Sequence, residues 1–260
     1  MNKARPTVGR AFLYLPCATR MTSPSVANIE PFIVADETRD ELHRKLPVTM
    51  RIAISGSHSV GKSTVVNDWI AHCPHFKREE EPYRALGLYG PYEILFRDAS
   101  TKLHNGIQLY YNISRMYRYA KCSDDVIFDR CPIDYLAYSQ YTANKKTTDI
   151  NDAFVESMVP TVRESLDHLD LLAFVPMCDQ WPVEMEADGI RPIDLNYRAE
   201  VDAIFKEIYR EGRYHAMPQH NGPEVIELIG SRQQRLEQLN EAIERVKAAR
   251  KPNGFESFGQ

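Results

Sequence analysis

Arg51-Ile52-Ala53-Ile54-Ser55 runs directly into Gly56-Ser57-His58-Ser59-Val60-Gly61-Lys62-Ser63-Thr64. The first five residues form a short apolar run, the mark of a buried strand. Gly56 to Ser63 matches G-x-x-x-x-G-K-[ST]. Ser63 to Ala71 then carries Val65, Val66, Trp69 and Ile70 on one helical stripe. Chance alone gives this motif in a chain of such length on the order of 1% of the time, and the strand before it and helix after it lower that further. The glycines let the backbone wrap phosphate oxygens, while loop amides and the helix N-terminus hold their charge. Lys62 is expected to reach the outer phosphates and the Ser63 hydroxyl to ligate Mg²⁺, with Thr64 beside them. Gly56, Ser57, His58, Ser59, Val60 and Gly61 complete the expected nucleotide cradle.

Outward from this loop, strands alternate with helices. Phe76–Glu81 reads as a second strand and Ile107–Tyr119 as a tyrosine-rich helix. Val126-Ile127-Phe128 is a buried strand ending at Asp129. Pro132–Tyr141 is a helix with Pro in its first turn. Phe154–Leu166 is helical, with a kink or break expected at Pro160. Leu169–Met177 is another strand and Asn196–Tyr209 an amphipathic helix. Val225–Ile229 is a last strand. Ser231–Ala249 is a closing helix with Ser231 as its cap and Lys247, Arg250 and Lys251 near its end. This alternation predicts an α/β fold: a doubly wound, mostly parallel sheet of the P-loop NTPase kind, with helices on both faces and a C-terminal helix.

Composition narrows the function. Hydrophobic residues make up 43% of the 260, enough for a core, so a wholly disordered chain is excluded. With 32 basic and 36 acidic residues the net charge is −4, which argues against a generally basic nucleic-acid surface. No run approaches the roughly 20 apolar residues of a membrane span. Five scattered cysteines without a C-x-x-C pair fit a reducing compartment, and a cytoplasmic location is the expectation. Residues 1–49 stand apart: Lys3, Arg5, Arg10 and Arg20 precede any acid, and the apolar piece 11–16 is cut short by Pro16. They read as a poorly ordered extension, with Met21 and Met50 as alternative starts. Residues 50–250 then form the nucleotide domain and 251–260 a tail.

Triphosphate binding is not yet a reaction. Guanine recognition would call for N-K-x-D, and the nearest string, Asn144-Lys145-Lys146-Thr147, lacks the Asp; adenine, hence ATP, is favoured. Asp129 and Arg130 lie at the C-terminal end of a buried strand, the edge where doubly wound sheets bind ligands. Asp129 there suits Mg²⁺ and Arg130 suits an acceptor; a plain strand-end salt bridge is the alternative. His72-Cys73-Pro74-His75 has metal-capable atoms, but Pro74 spoils the spacing and no second pair follows. Cys131 has no evident base or redox partner.

The loop, the run Asp129-Arg130-Cys131-Pro132-Ile133-Asp134 with Leu136-Ala137-Tyr138, Asp188-Gly189-Ile190-Arg191, and Gly230-Ser231-Arg232 with Arg235-Leu236 occur in consistent order over about residues 50–240. Together they resemble the NadR-like AAA domain family, small P-loop ATPases similar to nucleoside and nicotinamide riboside kinases. The resemblance implies an ATP- and Mg²⁺-dependent kinase acting on a small, nucleoside-like acceptor. It implies a lid arginine, Arg191 with Arg198 as second choice, that closes over the phosphates. Glu81, last of Glu79-Glu80-Glu81, corresponds to a general base, although a solvated acidic turn explains the triplet equally well. Gln108 and Arg115, on the tyrosine-rich helix, correspond to acceptor-binding residues, and Arg232 to an adenine contact. A regulatory ATPase that controls a protein partner is the rival. The two separate on one question: a kinase needs Glu81, Gln108 and Arg130 in one cavity facing Lys62, whereas a switch needs an exposed apolar surface, with the last helix as the place to look.

Overall fold

A computed structural model of the chain describes residues 49–89, 93–184 and 194–250. The N-terminal extension, the tail, and the Asp188–Arg191 stretch with the expected lid arginine lie outside the described residues. Five strands form one sheet: β1 (Arg51–Ser55), β2 (Lys77–Glu79), β3 (Val126–Asp129), β4 (Leu171–Phe174) and β5 (Glu224–Glu227), in the order β2-β3-β1-β4-β5. Every pairing is parallel. The helices are α1 (Lys62–His72), α2 (Pro82–Tyr89), α3 (Lys102–Tyr119), α4 (Pro132–Lys145), α5 (Asp152–Leu166), α6 (Leu195–Arg210) and α7 (Arg232–Arg250).

A buried parallel strand alternates its side chains between two covered faces. Ala53, Phe128, Leu172 and Phe174 pack on one side with Leu109, Ile113, Leu136, Val162 and Phe205, drawn from α3 through α6. Ile52, Ile54, Ile127, Leu171 and Val175 pack on the other with Val65, Val66 and Trp69 of α1 and with Leu239, Ile243 and Val246 of α7. The chain crosses from one side of β1 to the other between β3 and β4. The crevice at the C-terminal ends of β1, β3 and β4 is therefore the topological switch point.

The local readings hold with shifts that have causes. α7 is capped as expected, by Ser231: its Oγ accepts from Gln234 N at 3.3 Å, and Gln234 Oε1 accepts from Ser231 N at 2.8 Å. α3 begins five residues before the predicted start, because Thr101 and His104 form a capping box in place of the usual Ser/Thr and Glu pair. Gly106 also weakens the helical signal there. The expected break at Pro160 does not occur: α5 runs through it, with Pro160 exposed on its outer face. β2 and β4 are shorter than the strands expected over 76–81 and 169–177. α2 was not predicted at all; Pro82 starts it and Gly87 dilutes its pattern. No helix among the described residues is long and apolar enough to cross a membrane.

Candidate active site

Gly56 to Gly61 turn the chain from β1 into α1. Gly56 has φ +140°, and a Cβ there would stand 2.6 Å from the Val175 carbonyl oxygen, so only glycine fits this close approach to the strand next door. Gly61, at φ +90°, caps α1. Lys62 is buried and its Nζ donates to the Ser57 carbonyl of its own loop. Burial, with Arg130 nearby, pushes the Lys62 ammonium down to about 7, against the opposing pull of Asp134, Glu81 and Asp129. A buried ammonium held only by a carbonyl is suited to receive an anion.

Arg130 organises the neighbouring pocket. Its Nε and Nη2 donate to Glu81 Oε1 at 2.8 and 2.6 Å, and its Nη1 donates to Gly56 O, Asp134 Oδ2 and Tyr138 Oη at 3.1, 3.1 and 2.9 Å. Its backbone stands at φ +125°, a strained value for a non-glycine residue, costing on the order of 1–3 kcal/mol. Those five hydrogen bonds hold it there. Asp134 is fully buried and also accepts from Ser55 Oγ at 2.5 Å, and Ser55 Oγ in turn accepts from Tyr209 Oη at 2.6 Å. Burial raises the Asp134 carboxyl, while Arg130, Lys62 and Ser55 oppose.

Glu81, Gln108 and Arg130 line one pocket. Its other walls are mostly aromatic and polar: Tyr135, Tyr138 and Tyr197, with Asn105, Ser100 and Arg97. His58 of the phosphate loop stacks on Tyr197 at 4.6 Å, and the Arg97 guanidinium lies 4.7 Å from the centroid of the same ring. Phosphate loop and pocket thus share a wall.

The three consecutive glutamates part company. Glu79 takes Arg115 in a two-point ion pair, at 2.7 Å from Nε and 2.5 Å from Nη2. Glu80 accepts from Arg78 at 3.0 Å and from Glu81 N at 3.1 Å. Glu81 alone enters the pocket lining. Arg115, expected to meet an acceptor, has its guanidinium on Glu79 and is not among the residues that line this pocket.

Asp129 lies at the end of β3, level with Ile54 of β1. Its Oδ2 accepts from Arg78 at 3.3 Å, and its Oδ1 is buried without a hydrogen-bond partner. Burial, then the Glu81 charge, raises its carboxyl, while Lys62, the Ser63 hydroxyl and Arg130 oppose. An orphaned carboxylate oxygen beside a serine hydroxyl is a donor set that fits Mg²⁺ completed by water and phosphate oxygens. Among the described residues no cluster of three or more His, Cys, Asp or Glu could hold a metal by itself. His75 of the 72–75 stretch pairs with Asp125 at 3.1 Å.

On the other flank of the loop, Gly61 and Thr64 share a second pocket, of about 290 Å³, with Trp181, Gly230, Ser231, Arg232 and Arg235. Arg232 stands at its rim; its side chain is 72% exposed, and its guanidinium is turned onto Asp68. Arg235, one helical turn on, is buried and donates from Nη1 to Val60 O at 2.7 Å. Arg198 is also buried; it donates to Ser59 O at 3.1 Å and Val183 O at 2.8 Å. Sequence reasoning missed Asp134 as a site residue, along with Asn105, Tyr138, Tyr197 and Arg235. Asp134 had a signal: it lies four residues after Arg130, the spacing of a helical ion pair.

A family model described as an AAA domain matches residues 51–235. Among solved structures, the chain is similar to a NadR protein in complex with NR, at TM-score 0.53 and 16% identity over 77% of this chain and 52% of that one. It is also similar to the deoxyadenosine kinase from M. mycoides with bound dATP, at TM-score 0.52 and 15% identity over 75% of this chain and all of that one. A NadR protein with NAD and AMP-PNP gives TM-score 0.50 at 16% identity, over 77% and 50% of the two chains. The chain spans about half the length of the NadR structures, and at these identities the likeness is one of fold. No curated protein sequence matches significantly.

Proposed function

The chain belongs to the AAA domain family that its residues 51–235 match, and from that premise we propose that it is an ATP- and Mg²⁺-dependent kinase that transfers the γ-phosphoryl group to a hydroxyl of a nucleoside-like small molecule. The observation that carries this reading is the single pocket lined by Glu81, Gln108 and Arg130, whose charges act directly on Lys62. The regulatory alternative finds no support on α7: among the described residues, none of its large apolar side chains is exposed.

Phosphoryl transfer depends mainly on positioning and charge neutralisation. Lys62 meets the charge that builds on the transferred group. Glu81 receives the proton of the acceptor hydroxyl, and Arg130 fixes the orientation of that carboxylate through its two short hydrogen bonds. Gln108 and Asn105 offer amides to the acceptor's polar edge, between tyrosine walls. Ser63 and Asp129 would hold Mg²⁺, which would supply charge neutralisation to the phosphates. Arg191 is retained as the lid arginine. Related structures that carry NR and dATP favour nucleoside-like acceptors and a nucleotide donor. The test is ATP consumption by the purified chain with nucleosides, nicotinamide riboside and sugars offered in turn. Stimulation by a nucleoside-like compound is expected; a rate that no acceptor raises would overturn the proposal.

A further inference from the structure

Arg235 is a buried cation without a counter-charge. Its side chain is 5% exposed, its Nη1 donates to the Val60 carbonyl, and its Nε has no hydrogen-bond partner. Among the described residues no carboxylate forms an ion pair with it, and none contributes to the charge environment of its guanidinium. Burial lowers its pKa, with only Cys178 opposing. Leaving a guanidinium out of water and unpaired is costly unless an anion arrives to complete the site.

The place where that anion would lie is defined. Arg235 packs so tightly on the phosphate loop that a Cβ on Gly61 would come within 3.2 Å of its Nη1. It lines a pocket with Gly61, Thr64 and Ser231, at the first turns of both α1 and α7, where unpaired amides add positive charge. That pocket has no residue in common with the Glu81–Arg130 pocket. Lys62 feels Glu81, Asp129 and Arg130 and so marks the end of the donor where the phosphoryl group leaves. Arg235 marks the opposite end.

We propose that Arg235 binds the donor nucleotide at the phosphate nearest its nucleoside, and that this residue, not the exposed Arg232, is the nucleotide-binding arginine of the last helix. The proposal rests on the kinase reading for the identity of the donor, but its test is separable. Binding of MgATP and MgADP to the full chain is measured by calorimetry, together with the thermal shift each produces. Arg235→Gln is expected to weaken both nucleotides by a similar factor, about tenfold to a hundredfold, the range for losing one charge-assisted hydrogen bond. Its melting temperature without nucleotide is expected to stay level or rise, because an unpaired buried charge has gone. Arg235→Lys keeps the charge and is expected to recover part of the affinity; it also carries the test if the Gln variant does not fold. Arg245→Gln, further along the same helix, removes only an exposed pair with Glu224 of β5 and should change neither. Unchanged affinities in Arg235→Gln, or a lowered melting temperature with the nucleotide-induced shift intact, would overturn this role and assign Arg235 to structure alone. A wild-type chain that binds neither nucleotide would overturn the donor-site reading as well.

Discussion

The two flanks of the phosphate loop handle buried charge in opposite ways. On the acceptor side every cation has its anion: Arg130 is closed by Glu81 and Asp134, and Arg115 by Glu79. On the donor side the buried cations rest on backbone carbonyls: Lys62 on Ser57, Arg198 on Ser59 and Arg235 on Val60. A pocket whose cations are already paired suits an acceptor that brings no anion. A loop ringed by cations that only carbonyls satisfy suits a polyanion and is strained without one. The same chemical groups are thus complete on one side and incomplete on the other.

The sharpest way to break this comparison is to neutralise one charge on each side. Glu81→Gln should lower kcat by about 10²–10⁴-fold, the range for losing a positioned base; an unchanged kcat would remove Glu81 from the proton's path. Lys62→Met should lower kcat/KM by about 10²–10³-fold, in the manner of losing one preorganised donor to developing charge. Their effects on stability should have opposite character. Glu81→Ala breaks a buried pair and should cost roughly 3–5 kcal/mol in unfolding experiments, whereas Lys62→Met removes a strained ammonium and should cost little or nothing. Equal destabilisation by both would dissolve the contrast.

The pH dependence sharpens it further. Lys62 titrates near 7 in the folded chain against 10.5 for an ordinary lysine. Between those values the unfolded chain binds more protons, so this residue's contribution to stability rises with pH from about 7 upward. Nucleotide binding has the opposite sign. Phosphate requires the ammonium, so affinity should fall by about tenfold per pH unit above 7, with close to one proton taken up per nucleotide at pH 8. Calorimetry in buffers of different ionisation enthalpy measures that uptake, and Lys62→Met should abolish it. Asp129→Asn should shift the Mg²⁺ requirement upward by about tenfold, the scale of one lost charge-assisted contact; a normal Mg²⁺ titration would take Asp129 out of the metal shell. The smallest effect is expected from deleting residues 1–49, which lie outside the matched region. Nucleotide affinity should not change, and an inactive product would place them within the working unit.

What the sequence disclosed follows the same division. The phosphate loop is local chemistry, written in consecutive residues, and so are the apolar strands and the Asp129-Arg130 edge. The placements that differ from the sequence-based expectation depend on partners far away in the chain. Gln108 and Arg115 sit seven apart on α3 and looked equivalent, but Glu79 lies 36 residues from Arg115 and takes it out of the pocket. Arg232 and Arg235 are a single turn apart. Only the packing of α7 on the sheet decides which is buried, and Arg235-Leu236 already hinted at that side. Asp134 and Tyr138 follow Arg130 at a spacing of four, but Tyr209 reaches Ser55 from 154 residues away, a convergence no periodicity encodes.

Glu79-Glu80-Glu81 raises one more matter, that of error checking. β2 is a three-residue strand at the edge of the sheet, and edge strands slip readily. Three identical side chains would seem to make a slip invisible. They do not, because two arginines read the chain at a spacing of two: Arg115 takes Glu79 and Arg130 takes Glu81. Advance the strand by one residue and Arg130 meets Pro82; retreat by one and Arg115 faces Arg78. Only one alignment satisfies both readers, and it is the one that delivers Glu81 to the pocket. The repetitive triplet behaves as a message with its own parity bit, and Arg115, although it touches no acceptor, is one of the two residues that check it.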